Sequence, residues 1–174
     1  MSSNADVARP VSAADALVLY VRKNTLPALV SGLGGAGAIW LLAALTESLG
    51  QLLLIAPFGA SCVLLFALPQ SPLARPRNVI GGHVISALIG LLVLTFIGNS
   101  VLAMGIGVGL AIALMQFTGT LHPPAGGDPL VVILTGAGWS FLLQPILAGT
   151  AALVLVAWIY HRAISKRAYL VQDR

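Results

Sequence analysis

The sequence predicts an all-α, polytopic membrane protein: six hydrophobic segments forming two inverted three-segment repeats, with the second segment of each repeat broken. Three observations lead there. Of 174 residues, 8% are charged and 58% hydrophobic, with a mean hydropathy of +0.98. Such a surface cannot be covered for water. Ten of the fourteen charges fall in the first 23 and last 13 residues, leaving Glu47, Arg75, Arg77 and Asp128 between them. The charge-free runs 24–46, 48–74, 78–127 and 129–161 are each long enough for the ~20 residues that cross a bilayer as a helix. Finally, all nine Lys and Arg lie in the N-terminal segment, the 69–78 loop and the C-terminal segment. Six crossings place these on one, cytoplasmic, side.

Taken in order, residues 1–24 read as a cytoplasmic segment with a short amphipathic helix over 12–23 at the membrane interface. They contain no signal-peptide pattern, so the chain is expected to start at Met1. A membrane domain is expected over 25–161. Leu26 to Thr46 is its first span, with Gly32, Gly34, Gly35 and Gly37 as a close-packing face. Gln51 to Leu68 is a second segment, broken at Pro57-Phe58-Gly59-Ala60-Ser61. Val79 to Gly98 and Val101 to Phe117 are further spans, the latter carrying Gly105, Gly107 and Gly109. The stretch Leu121-His122-Pro123-Pro124-Ala125-Gly126-Gly127-Asp128-Pro129 cannot be regular helix and opens into the apolar run Leu130 to Leu134. Phe141 to Tyr160 is the last span, and 162–174 is a basic cytoplasmic tail. Cys62, the single cysteine, excludes an internal disulfide.

The two breaks align at an offset of 67. Pro57, Gly59 and Ser61 fall on Pro124, Gly126 and Asp128, and Gly82 falls near Gly149. Interrupted segments at matching places in two halves are a transporter plan, with the site where the breaks meet. Ser61 and Asp128 are good helix N-cap residues, and two helix N-termini facing one cavity would hold a small anion loosely. Against this, Asp128 competes for the same positive potential. It either caps a helix and faces away, or is protonated and relays a proton with His122 or His83, or the cargo is not an anion. Arg75 and Arg77, in a proline-stiffened loop, are inside-positive charges or a vestibule that concentrates anions. His161, with Tyr160 and Trp158, reads as an interfacial anchor.

Several of these stretches together, Leu121 to Gly127, Pro57 to Ser61, Ser71-Pro-Leu-Ala-Arg75-Pro-Arg77-Asn78 and Gly81-Gly82-His83, resemble the HPP family of integral membrane proteins over about residues 25–160. The resemblance implies membrane transport, since cyanobacterial and chloroplast relatives are associated with nitrite uptake. Family members can carry C-terminal CBS domains, and the expectation from a sequence ending at Arg174 is that no nucleotide-sensing module follows.

The expected function is therefore transport of a small inorganic anion, nitrite first, with proton coupling through imidazole as an option. The binding residues would be Pro57, Gly59, Ser61, Asn78, His83, His122, Pro123, Pro124, Gly126 and Asp128, with Arg75 and Arg77 at the mouth. An oligomeric channel packed through the glycine faces is the alternative. A membrane-embedded enzyme using Asp128 and His122 is disfavoured because no nucleophile has a plausible base and no metal-ligand set is present. No cofactor, metal or nucleic acid is expected. The partners are the lipid bilayer, the anion and a second copy of the chain, in a bacterial inner membrane with both termini cytoplasmic.

Overall fold

A computed structural model describes residues 12–169, and these are all-helical with no strand. Helix α1 (Ala13–Leu49) starts at Ser12, whose hydroxyl accepts from the Asp15 amide, and stops at Gly50 in the left-handed region. Its 37 residues are about 55 Å long at the helical rise, well beyond a ~30 Å hydrocarbon core. The expected interfacial helix over 12–23 is thus not a separate element: the helix runs straight through Pro27 into the first span. Asn24 and Thr25 return side-chain hydrogen bonds to the carbonyls of Tyr20 and Val21 in the turn ahead of that proline. Residues 1–11 of the expected cytoplasmic segment, and the end of the basic tail from 170 onward, lie outside the described residues.

The first break also differs from expectation. Residues 52–55 have no helical structure, and the Leu53 amide donates to Thr46 Oγ1, which ties this stretch to the end of α1. Helix α2 (Ala56–Cys62), with Pro57 in its first turn, then runs into a π-helical turn at 63–67. Proline in a first turn lacks only an amide that has no helical partner there, so Pro57 starts a helix and does not kink one. A 3₁₀ turn (Pro72–Ala74) leads to α3 (Pro76–Phe96), and α4 (Val101–Phe117) follows, capped by the Ser100 hydroxyl. The second break is a 3₁₀ turn (Pro123–Gly127) running into α5 (Asp128–Thr135), as the sequence suggested. The last segment spans 139–165 and holds a further interruption at Gln144-Pro145, where Gln144 is extended, before α6 (Ala148–Tyr160).

Three helical stretches, Ala13–Leu49, Pro76–Phe96 and Trp139–Ser165, are long and apolar enough to cross a membrane, and Ala56–Ala67 and Val101–Phe117 are shorter apolar helices. Polarity is inside out relative to a water-soluble globule. Phe96, Val101 and Phe117 are at least 80% exposed, while Ser61, Asn78, His83, Ser86, His122, Asp128, Thr150 and His161 are buried. A hydrocarbon solvent accounts for both halves of that pattern.

Glycine sets how closely the helices approach. A Cβ on Gly90 would lie 2.8 Å from Pro129 Cα, and one on Gly107 3.1 Å from Pro129 Cβ, so Pro129 is wedged between α3 and α4. A Cβ on Gly149 would run into the Phe58 ring and lie 2.5 Å from the Leu53 carbonyl. Of the expected glycine face on α1, Gly34 meets Phe66 and Tyr160 and Gly35 meets Cys62, whereas Gly32 and Gly37 touch nothing. Gly149→Ala is expected to lower stability by about 1–3 kcal/mol through overpacking. Gly105→Ala, in open space, is expected to be neutral or to gain up to ~1 kcal/mol of helix propensity. Thermal unfolding of the two variants in detergent checks this; equal melting temperatures would contradict the packing described.

Candidate functional site

The breaks meet. Pro57, in the first turn of α2, is buried, and a Cβ on Gly127 would lie 3.3 Å from its Cγ. Beside this junction α3 presents one polar face to the second break. Gly82 lets His122 approach, since a Cβ there would be 2.8 Å from His122 Cβ. One turn on, Ser86 donates to the Ala125 carbonyl at 2.5 Å. Asn78 donates to the Leu121 carbonyl at 2.9 Å. These contacts hold the 3₁₀ turn and its preceding extended residues against α3.

Within that frame four fully buried side chains form one continuous line. His122 Nδ1 is 2.8 Å from the Leu73 carbonyl, and its Nε2 is 2.9 Å from Ser61 Oγ. Ser61 Oγ is 2.9 Å from His83 Nε2, and His83 Nδ1 is 2.7 Å from Asp128 Oδ2. Phe58 stands edge-on to the His83 ring at 5.1 Å, and the two imidazole rings are also 5.1 Å apart. Asp128 Oδ1 has no hydrogen-bond partner. Each buried polar atom along the line otherwise has one, as a low-dielectric interior demands.

Five expectations change here. Asp128 is not an N-cap: it is the first residue of α5, and its carboxyl reaches across to α3. Ser61 is not a cap either, since it lies in the last turn of α2, with its hydroxyl 3.3 Å from the Pro57 carbonyl. Gly59 is exposed and faces a lateral groove of about 760 Å³ between α1 and α2, away from the line, and Pro123 is exposed as well. His161 is buried and no surface anchor. Its Nε2 is 2.7 Å from the Leu65 carbonyl, where the π-turn after α2 leaves a carbonyl to satisfy.

Arg77 donates to the carbonyls of Gly119 at 2.9 Å and Thr118 at 3.3 Å, so it holds the turn that delivers His122. Arg75 is half-buried at the start of α3. Pro124 and Gly126 are half-buried in the 3₁₀ turn. Among the described residues no group of three or more His, Cys, Asp or Glu is arranged to hold a metal.

Comparison with known proteins adds the family. The HPP transmembrane-region model matches residues 20–170. The chain belongs to the HPP family. Two transmembrane proteins of Dictyostelium discoideum are 39% identical over 124 residues and 34% identical over 126. These alignments cover 67% and 68% of this chain but 44% and 40% of the relatives, so it spans about two fifths of their length. No solved structure matches. This HPP chain is a membrane protein, and the match indicates no enzymatic family.

One ground for setting an enzyme aside does not survive. Ser61, His83 and Asp128 stand in the hydroxyl–imidazole–carboxyl order of an acyl-transfer triad, formed by residues 22 and 45 positions apart in sequence. The Ser61 hydroxyl, however, is fully buried between two imidazoles, which leaves no approach for a carbonyl carbon. Ser86 and the Leu73 carbonyl were missing from the sequence reading. Ser86 was findable three residues from His83 on the same helical face, while a backbone acceptor has no sequence signal.

Asp128→Ala is expected to cost about 1–3 kcal/mol by leaving His83 Nδ1 buried and unpartnered. Asp128→Asn, whose amide can donate to that nitrogen, is expected to cost distinctly less. Melting temperatures in one detergent compare them; an Asn variant as unstable as the Ala variant would contradict a neutral hydrogen bond at this position.

Proposed function

We propose that this HPP protein carries a small inorganic anion across a membrane, nitrite first among candidates. The observation that carries the reading is the buried polar line His122–Ser61–His83–Asp128 where two interrupted segments touch, inside a domain whose exterior is apolar. Ionisable groups in a membrane interior are costly, and they mark pathways for ions and protons. The choice of nitrite rests on the family resemblance.

Six segments in two inverted repeats suit this function. Support comes from Gly82 and Gly149, which share the offset of 67: Gly82 abuts His122 in the second break, and Gly149 abuts Leu53 and Phe58 at the first. Each half thereby grips the interruption of the other. The basic residues favour cytoplasmic termini, with a bacterial inner membrane as the proposed setting. Gly105 and Gly109, which touch nothing on α4, offer a face for a second copy. A carrier is preferred over an open channel because the line is closed to solvent at every member.

Purified protein in liposomes is expected to take up nitrite faster than empty liposomes, with saturation and counterflow. Uptake no faster than in empty liposomes removes the nitrite assignment, and flux linear in concentration without counterflow favours a channel.

A further inference from the structure

The donors along the buried line are fixed from one end. A carbonyl only accepts, so His122 Nδ1 carries a hydrogen for Leu73. In the neutral ring Nε2 is then bare, and the Ser61 hydroxyl donates to it at 2.9 Å in preference to the 3.3 Å approach to the Pro57 carbonyl. With its proton so used, Ser61 Oγ accepts from His83 Nε2–H. His83 Nδ1 is consequently bare and accepts from Asp128 Oδ2–H. The unpartnered Asp128 Oδ1 fits this assignment, as the carbonyl oxygen of a neutral acid is less costly to leave unpaired than half of a buried carboxylate.

The same heavy-atom frame satisfies a second arrangement of the same protons. The Asp128 Oδ2 proton passes to His83 Nδ1, the His83 Nε2 proton to Ser61 Oγ, and the Ser61 hydroxyl proton to His122 Nε2. Four protons are present before and after. The result is an Asp128 carboxylate, a neutral His83 in its other tautomer, a Ser61 hydroxyl now donating to His83, and a His122 imidazolium. The three hydrogen bonds between side chains are kept with their directions reversed, the one from His122 Nδ1–H to Leu73 keeps its own, and positive charge has moved from the α5 end to the His122 end.

We propose that Ser61, His83, His122 and Asp128 are a proton relay that takes up one proton with each anion, making this protein an electroneutral anion–proton symporter. The proposal rests on the anion-transport reading above. An anion arriving beside His122 stabilises the second arrangement by direct attraction to the imidazolium, and a neutral His122 lets it go. A site holding Asp128 carboxylate, His122 imidazolium and anion carries the same net charge as the site after proton and anion have both left with Asp128 still ionised.

Among the described residues, few other ionisable groups lie on the elements around the line, Tyr169 on the Ala74 carbonyl being one. Helix α4 between Val101 and Phe117 contains none, and from 139 to 159 the last segment contains none. Helix α2 adds only Cys62, which lies against Gly35 of α1. Arg75 and Arg77 flank the start of α3, with Arg77 on the carbonyls of Thr118 and Gly119.

The test loads liposomes containing the full chain with a pH-sensitive dye and measures nitrite uptake and internal pH together, against empty liposomes. Nitrite uptake with one proton per anion, at a rate indifferent to a potassium-diffusion potential, is the expected result. Nitrite uptake without acidification, or at a rate that follows the potential, overturns the relay and leaves the transport reading standing. No uptake overturns both. Ser61→Ala removes the only hydroxyl between the two imidazoles, and proton-driven uptake is expected to fall about a hundredfold. Asp128→Asn, a second break in the line with no proton to give, is expected to lose the pH dependence of uptake. Either variant, monodisperse in detergent, retaining full proton-driven uptake overturns the assignment.

Discussion

The structure depends on a row of hydrogen bonds that begins at a backbone carbonyl, Leu73, and ends at a carboxyl, Asp128. In hydrocarbon, helices gain little from burying leucine against leucine, because the lipid offers the same contact. A polar side chain left unpaired there is expensive, so the row can close only where α2, α3 and the second break come together. His83 is central to it. One ring binds Ser61 from the first break through Nε2 and Asp128 from the second through Nδ1.

Close packing makes that convergence geometrically possible. Gly82, Gly90 and Gly107 remove the side chains that would hold α3 and α4 off the segment containing His122 and Pro129. Pro57 and Pro129, each in the first turn of a short helix, start α2 and α5 without requiring an amide partner. Satellite bonds from Asn78, Ser86 and Arg77 occupy the carbonyls of Leu121, Ala125 and Gly119, which the irregular backbone leaves free. Irregular backbone at membrane depth is tolerable only when protein groups satisfy it in this way.

The membrane class, the helical fold, the second break and most of the polar line were legible in the sequence, because charge scarcity, proline–glycine runs and buried-looking ionisable residues are local signals; the first break was expected at Pro57 to Ser61, whereas the non-helical stretch is 52–55 and Pro57 starts α2. Ser61, His83, His122 and Asp128 were all candidates before any contact was known. Their roles were less accessible. Capping propensity assigned Ser61 and Asp128 to helix starts, whereas tertiary hydrogen bonding claimed both side chains. His161 looked interfacial from its aromatic neighbours, but the π-turn carbonyl of Leu65, invisible in sequence, draws it inside. The continuity of α1 through Pro27 was likewise hidden, since a proline kink and a tolerated proline read alike.

The two interrupted segments meet at Pro57 and Gly127, close enough for a disulfide to be trapped between them. A Cβ at Gly127 would lie 3.9 Å from Pro57 Cβ, within the range that a disulfide spans. In a Cys62→Ser background, Pro57→Cys with Gly127→Cys is expected to form an intramolecular disulfide under a membrane-permeant oxidant, and to lose transport until reduced. A folded, monodisperse double variant that keeps both thiols free would contradict the meeting of the breaks and the transport site built on it.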